Sequence, residues 1–154
     1  MLSEPDVGWS DFSLGDWSYP LSHLTDLPFD WVDQCIYGLK KLEPFTVWGT
    51  CEGARVLCTV SYYNCHIVYE DSSDNDVLDR AETEWHIEHI SMIDFCKMLH
   101  ADISNSIDVW ITDWYSACEE EKQIELKQEL GLKLEELGKL IGENEENFRS
   151  CHFW

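Results

Sequence analysis

Basic side chains are scarce in this chain: ten Lys and Arg residues stand against 31 Asp and Glu, and the formal net charge is -21. None of the ten precedes Lys40, whereas seven acidic residues do. A protein that holds nucleic acid or an anionic membrane surface neutralises phosphates with a basic stripe, and this sequence contains no such stripe. We therefore expect no nucleic-acid or membrane binding, and we expect long-range attraction to cationic partners.

Three further features are missing from the sequence. The seven cysteines include no C-x-x-C pair, and the first ten residues, MLSEPDVGWS, have neither a basic region nor an apolar leader. No apolar run approaches the roughly 20 residues that a membrane span needs. These observations direct the chain neither to secretion nor to a membrane, so we expect a cytoplasmic protein with reduced thiols.

The chain does have enough apolar and aromatic surface to fold. Of its 154 residues 44% are hydrophobic, and they include eight Trp, six Tyr and six Phe. A disordered acidic chain would carry far fewer. The length suits one domain. We expect a single α+β domain over residues 1–118, followed by an acidic helical tail over residues 119–154 that packs on the domain or extends from it.

Alternating and β-branched segments predict the strands. Residues 10–18 alternate partly between apolar and polar side chains, and residues 45–50 and 54–70 are rich in β-branched and aromatic side chains. The run over 54–70 is long enough for two strands. The segment TEWHIEHI, residues 83–90, alternates clearly. Its two predicted faces are Trp85, Ile87 and His89 on one side, and Glu84, His86, Glu88 and Ile90 on the other.

Helical spacing predicts the remaining elements. Apolar residues recur every three or four positions over residues 25–42 and again over residues 91–118, where SNS at 104–106 suggests a kink. The tail shows the same period, interrupted by Gly131 and Gly138. The expected fold is therefore α+β, in the order β-α-β-β-β-β-α, with a mainly antiparallel sheet of about five strands packed by helices.

The most acidic stretch is YEDSSDNDVLDRAETEWHIEH, residues 69–89, which holds eight carboxylates and one arginine. Counted from Asp71, oxygen-bearing side chains fall at positions 3, 5, 9 and 12, as in a calcium loop. Position 6 is Asp76, however, where the sharp turn of that loop requires glycine. We therefore interpret the stretch as an acidic connecting loop that binds no metal.

Cysteine and histidine side chains occur on neighbouring predicted strands: Cys51, Cys58, Cys65, His66, His86 and His89. They could converge as a zinc site, but none has ligand spacing, and such residues on sheet faces are commonly part of the core. No cysteine has a catalytic signature or a glycine-rich oxyanion turn around it. We expect no metal, no cofactor and no enzymatic activity. A cysteine hydrolase is the alternative, and it would need one thiol of depressed pKa beside a histidine.

Protein recognition is the function that remains. Aromatic side chains supply binding energy at interfaces and complementary charge speeds association, and Trp48, Tyr69 and Trp85 lie near acidic stretches. The alternative place for each of these rings is the core. The predicted partner-binding residues are Tyr69, Asp71, Asp74, Asp76, Asp79, Glu82, Glu84 and Trp85.

Three segments, in this order, carry a resemblance to a known class of proteins: DFSLGDWSYPLSHLTDLPFDWVDQCIYGL, PFTVWGTCEG and HISMIDFCKMLHADISNSIDVWITDW. In layout they resemble the small acidic immunity proteins of bacterial polymorphic-toxin and contact-dependent growth inhibition systems, over roughly residues 9–115. The resemblance implies a one-domain cytosolic protein that binds a cognate toxin domain tightly and blocks it. That toxin is usually a basic nuclease, and the class supplies no catalytic residues to carry over.

A second function is consistent with the charge. An acidic DNA mimic, of the anti-restriction or anti-CRISPR type, presents carboxylates at phosphate-like spacing to DNA-binding enzymes in general. Its acidic residues would cover most of its faces.

Overall fold

The computed structural model describes residues 1–71 and 83–149 of the chain. They form an α+β fold, as predicted. The elements of the described ranges, in chain order, are β1 (Trp9–Leu14), β2 (Trp17–Ser22), α1 (Leu27–Lys41), β3 (Phe45–Cys51), β4 (Ala54–Val60), β5 (Cys65–Asp71), β6 (Thr83–Glu88), α2 (Met92–Ser104), α3 (Ile107–Val109) and α4 (Glu120–Arg149).

The first predicted strand is in fact a hairpin. Strands β1 and β2 pair antiparallel from Trp9 opposite Ser22 to Leu14 opposite Trp17, and only Gly15 and Asp16 lie between them. Gly15 has a φ of 56°, which glycine adopts without the steric cost that other residues incur. Instead of one sheet of about five strands, the described residues therefore form a two-stranded sheet and a four-stranded sheet.

The four-stranded sheet is an antiparallel meander in the order β3-β4-β5-β6. Because side chains alternate along each strand, the sheet has two different faces. We call the inner face the one that carries the buried residues Phe45, Val47, Val56, Cys58, Val60, Cys65 and Ile67. The opposite, outer face carries Trp48, Leu57, Val68 and Trp85, which the pairing register aligns across all four strands.

Aromatic packing joins the inner face to the helices. Trp31 of α1 meets Phe12 edge to face, with ring centroids 5.0 Å apart, and it stacks on Phe95 of α2 at 6.3 Å. Phe95 also contacts Phe45 of β3, at 6.0 Å. Gly38 lets α1 approach the sheet closely, because a Cβ atom at this position would overlap the Phe45 ring. The core therefore lies between the inner face and the pair of helices α1 and α2.

The predicted kink separates two helices. Helix α2 ends at Ser104, and after α3 the chain forms a π-helical turn over Trp110–Trp114. The expected apolar positions are buried there, with Trp110 and Trp114 in the core. Asp113 of the same turn accepts hydrogen bonds from the backbone N–H groups of Val7 and Gly8, at 2.9 and 2.8 Å. This turn therefore holds the segment before β1 against the helical side of the molecule.

Helix α4 packs on α1 and α2 and runs without a break through Gly131 and Gly138. Its buried residues include Leu130, Leu134, Leu137, Ile141 and Phe148. Ion pairs across the helix interfaces join Lys133 to Asp33 at 2.7 Å and Lys97 to Glu145 at 2.8 Å. Tertiary packing of this apolar stripe outweighs the low helix propensity of two glycines. Within residues 1–71 and 83–149, the helices are too short or too polar to cross a membrane.

Candidate functional site

The outer face of the four-stranded sheet exposes a continuous apolar row. Trp48 lies opposite Leu57, Leu57 opposite Val68, and Val68 opposite Trp85. The two tryptophans at the ends are 46% and 64% exposed, and the two aliphatic residues between them are half-buried. Because neighbouring strands lie about 4.8 Å apart, the row extends for roughly 14 Å. No helix or strand of the described ranges covers it.

A second row completes the surface beside the first. It consists of Thr46, Thr59, His66 and Ile87, again one residue from each strand. The His66 ring meets Trp85 edge to face at 6.1 Å, and Ile87 is 46% exposed. His66, Val68, Trp85 and Ile87 together line a shallow depression open to solvent. We call these two rows the outer-face patch.

Strand β6 has an unusual orientation for an amphipathic strand. The alternation predicted for TEWHIEHI is confirmed as far as Glu88, where β6 ends before His89 and Ile90. Trp85 and Ile87 point to solvent, while Glu84, His86 and Glu88 lie on the inner side. A solvated antiparallel sheet commonly has the opposite arrangement, with apolar residues inward. The β1–β2 hairpin accounts for the difference, because Trp17 stacks on His86 at 5.1 Å and Glu88 binds the same histidine.

The predicted aromatic anchors divide between the two faces. Trp48 and Trp85 belong to the outer-face patch, as an interface would require. Tyr69 lies on the inner side, where it stacks on Tyr19 with ring centroids 4.9 Å apart. Burial, with smaller contributions from Glu84 and Tyr69, raises the pKa of Tyr19 to about 12. Tyr69 therefore supports the hairpin rather than the exposed patch.

The predicted acidic residues are described only in part. Strand β5 ends at Asp71, whose backbone alone is described, and Asp74, Asp76, Asp79 and Glu82 lie outside the described residues. Glu84 is exposed and pairs in register with Tyr69. The same end of the sheet carries exposed Glu52, in the turn between β3 and β4.

Charge at this end of the sheet is partly neutralised by one ion pair. Arg55 of β4 binds Glu70 of β5, directly across the strand pair. Both side chains lie on the outer face, two residues away along their strands from Leu57 and Val68. Glu52 and Glu84 have no cation among the ion pairs of the described residues. Of these acidic residues, Glu70 lies on the outer side with the patch, whereas Glu84 lies on the inner side of the same end of the sheet.

The cysteine and histidine residues are distributed over both faces. Cys58 and Cys65 are buried on the inner face, whereas His66 is exposed on the outer face. His89 follows β6 and its ring hydrogen-bonds the Asn64 side chain at 2.7 Å. In the part of the chain that the structure describes, no three His, Cys, Asp or Glu side chains are grouped closely enough to hold a metal ion.

The buried thiols are poor candidates for nucleophiles. The pKa of Cys35 is raised well above its usual range, mainly by burial and by a contact with Cys96. A hydrogen bond with Cys65, followed by burial, raises the pKa of Cys58. A nucleophilic cysteine needs the opposite environment, partly exposed and electropositive, because the thiolate is the reactive form. These two thiols therefore belong to the core.

Sequence reasoning missed the two middle residues of the row from Trp48 to Trp85. Leu57 and Val68 occur within long β-branched runs that are equally typical of buried strands. Only the register across β4 and β5 shows that they share a face with Trp48 and Trp85. Aligning the two predicted strands of residues 54–70 about the SYYN turn would have identified both residues.

Comparison with known proteins gives no match: no family model, no curated protein and no solved structure is similar to this chain.

Proposed function

We propose that this protein is an immunity protein, which binds and neutralises a cognate basic toxin domain, with the outer-face patch as its contact surface. The observation that carries the proposal is the solvent-exposed row from Trp48 to Trp85 on a chain of charge -21. Contiguous exposed apolar surface commonly marks a protein-binding site in a folded protein. The proposal gives the chain no catalytic role, no metal and no cofactor.

The composition of the patch supports a protein partner. Tryptophan is enriched among the residues that dominate binding energy, and a polar rim around it excludes water. Here Trp48 and Trp85 are the large side chains, while Thr46, Thr59 and His66 form the polar part of the surface. A DNA mimic would instead present carboxylates across such a face, so the apolar row favours the immunity function over the mimic.

The distribution of cations supports a basic partner. Of the nine Lys and Arg residues in the described ranges, eight form ion pairs with acidic residues of the same chain, Lys41 being the exception. These cations are largely neutralised within the fold, so the excess of acidic residues determines the long-range field. Such a field speeds the approach of a basic protein.

Neutralisation would then require only occlusion. A nuclease holds its substrate in a positively charged groove, and an acidic protein bound over or beside that groove excludes nucleic acid. The partner that we propose is a basic toxin domain, most naturally a nuclease, acting in the same cytoplasm as this protein.

A matched pair of substitutions tests the contact surface. Trp85→Ser removes an exposed aromatic from the patch, and Leu132→Ser removes an equally exposed apolar side chain from α4, where Leu132 is 67% exposed. The partner for this test is the toxin domain that the adjacent upstream gene should encode if the protein is an immunity protein. We expect Trp85→Ser to weaken binding by roughly 30-fold or more and to abolish protection when toxin and inhibitor are co-expressed.

Leu132→Ser should bind like the unaltered protein. Equal effects of the two changes would exclude the outer-face patch as the contact.

The charge contribution has its own test. Asp74→Lys combined with Asp79→Lys reverses two charges of the acidic stretch predicted from sequence. We expect slower association and a weaker salt dependence of the association rate, because exposed charges act mainly through steering. If the rate and its salt slope are unchanged, that stretch does not face the toxin. Similar affinity for several unrelated DNA-binding enzymes, without any upstream toxin, would replace the immunity function with the DNA mimic.

A further inference from the structure

Strand β6 is an edge of the four-stranded sheet. It pairs with β5 from Thr83 opposite Glu70 to Glu88 opposite Cys65, and no strand of the described ranges lies on its other side. Every second residue of such an edge directs its backbone N–H and C=O groups away from the sheet. An edge of this kind can accept an added strand from another chain.

The two sides of β6 differ in what they present to an added strand. On the outer side lie Trp85, 64% exposed, and Ile87, 46% exposed. On the inner side lie Glu84, which is exposed, and Glu88, whose side chain is 22% exposed beside His86. Because side chains of an added strand also alternate, one set would lie beside the two apolar residues and the other beside the two carboxylates.

Glu84 and Glu88 determine whether an acidic or a basic strand can pair with β6. If two copies of this chain paired β6 to β6, Glu84 and Glu88 of one copy would face the corresponding acidic residues of the other. Like charges across a strand pair are destabilising, and each copy carries a net charge of -21. Inward-pointing charges on an edge commonly prevent such self-association. A strand with Lys or Arg at alternate positions meets the opposite condition, because cations of that strand lie beside Glu84 and Glu88, on either side of the position opposite His86.

We infer that β6 binds an extended basic segment of the partner as an added strand, with apolar residues of that segment beside Trp85 and Ile87 and cationic residues beside Glu84 and Glu88. This inference rests on the proposed function and specifies how the toxin would engage the edge of the outer-face patch. Backbone pairing would contribute affinity, and the alternation of side chains would contribute specificity.

Three peptides of identical charge test the inference on the full-length protein. The first is a short peptide of alternating Val and Arg, the second has the same residues in two blocks, and the third is the alternating peptide N-methylated at every peptide nitrogen. The second loses the alternation and the third loses its backbone donors. The readout is solvent exchange of the backbone amides of Thr83–Glu88, measured by NMR. We expect the alternating peptide to slow exchange at every second residue of β6, and the other two to leave it unchanged.

A matched pair of variants tests whether peptide binding requires the carboxylate at the edge strand. Glu84→Lys replaces attraction by repulsion at the edge and should weaken binding of the alternating peptide by roughly fivefold or more. Glu52→Lys makes the same change at an exposed acidic residue of the β3–β4 turn and should leave affinity within about twofold.

Three results would overturn the inference: equal binding of the N-methylated peptide, no slowed exchange in β6 at the highest peptide concentration, or equal effects of the two lysine variants. The outcomes also separate the inference from the proposed function. If Trp85→Ser loses toxin binding while the unaltered protein binds no peptide at β6, the immunity function stands and strand addition is excluded.

Discussion

The two faces of the four-stranded sheet contain similar amino acids but have different surroundings. In β5, Ile67 on the inner face is 1% exposed, whereas its neighbour Val68 on the outer face lies at the edge of an open depression. The inner face is covered by α1, α2 and the β1–β2 hairpin, and no described element covers the outer face. Hydrophobicity therefore explains the stability of one face and leaves the apolar residues of the other without a structural role. The binding role that we propose for the outer-face patch would account for them.

The largest expected difference between the faces concerns two tryptophans. Trp31→Ala removes a ring that contacts Phe12 and Phe95 and whose Nε1–H group donates to the Trp48 carbonyl at 2.9 Å. We expect it to lower the free energy of unfolding by about 3–5 kcal/mol. Trp48→Ala, on the outer face, should cost about 1 kcal/mol or less. Urea unfolding measures both, and equal losses would show that the outer face is packed.

Adjacent residues of one strand give a closer comparison. Ile67→Ala opens a cavity beneath the sheet and should cost about 2–5 kcal/mol. Val68→Ala removes a half-buried side chain from the outer face and should cost about 1 kcal/mol or less. Thermal or urea unfolding of the two variants suffices. A Val68→Ala loss as large as that of Ile67→Ala would mean that something covers the outer face in solution.

Two helical glycines test how tightly the inner face is packed. Alanine is normally the better helix former, by about 1 kcal/mol. Gly38→Ala should nevertheless destabilise the protein by about 1–3 kcal/mol, because its Cβ overlaps the Phe45 ring. Gly131→Ala, on α4 with nothing near its Cβ position, should stabilise by about 0.5–1 kcal/mol. If Gly38→Ala were also stabilising, α1 could not lie as close to β3 as described.

The smallest expected effect concerns Tyr19 on the inner side. Its hydroxyl is buried without a hydrogen-bond partner among the described residues, and its pKa is raised to about 12, above the value near 10 of a free tyrosine. The folded state then holds the proton more tightly than the unfolded state. This contribution to stability is therefore present below a pH of about 10 and is lost as the pH rises through about 12.

Tyr19→Phe should leave stability at neutral pH nearly unchanged and should make its loss between about pH 10 and 12 less steep. The variant should also lack one late step in the absorbance titration of tyrosinate. Loss of a step near pH 10 instead would place the Tyr19 ring in solvent and would remove the stacked contact with Tyr69.

The local patterns predicted much of the fold, and long-range pairing decided the rest. The alternation of residues 83–90 separated Trp85 and Ile87 from Glu84 and His86 correctly. It could not show which set faces the core, because that depends on Trp17 of a distant hairpin stacking on His86. The hairpin itself was missed, since the turn at Gly15 and Asp16 interrupts an alternation that looks continuous. Trp48 and Trp85 were expected at the site, but joining them required the register through Leu57 and Val68.

The tryptophan indole N–H resonances of the protein, recorded with and without its toxin domain, test whether the outer-face patch is the recognition surface. We expect the Trp48 and Trp85 signals to shift or broaden on binding. The signals of Trp110 and Trp114 should stay in place, because both rings are buried and the Trp114 indole already donates to the Thr25 carbonyl at 3.0 Å. A saturated complex in which Trp48 and Trp85 keep their free-state resonances would show that the toxin binds elsewhere than the outer-face patch.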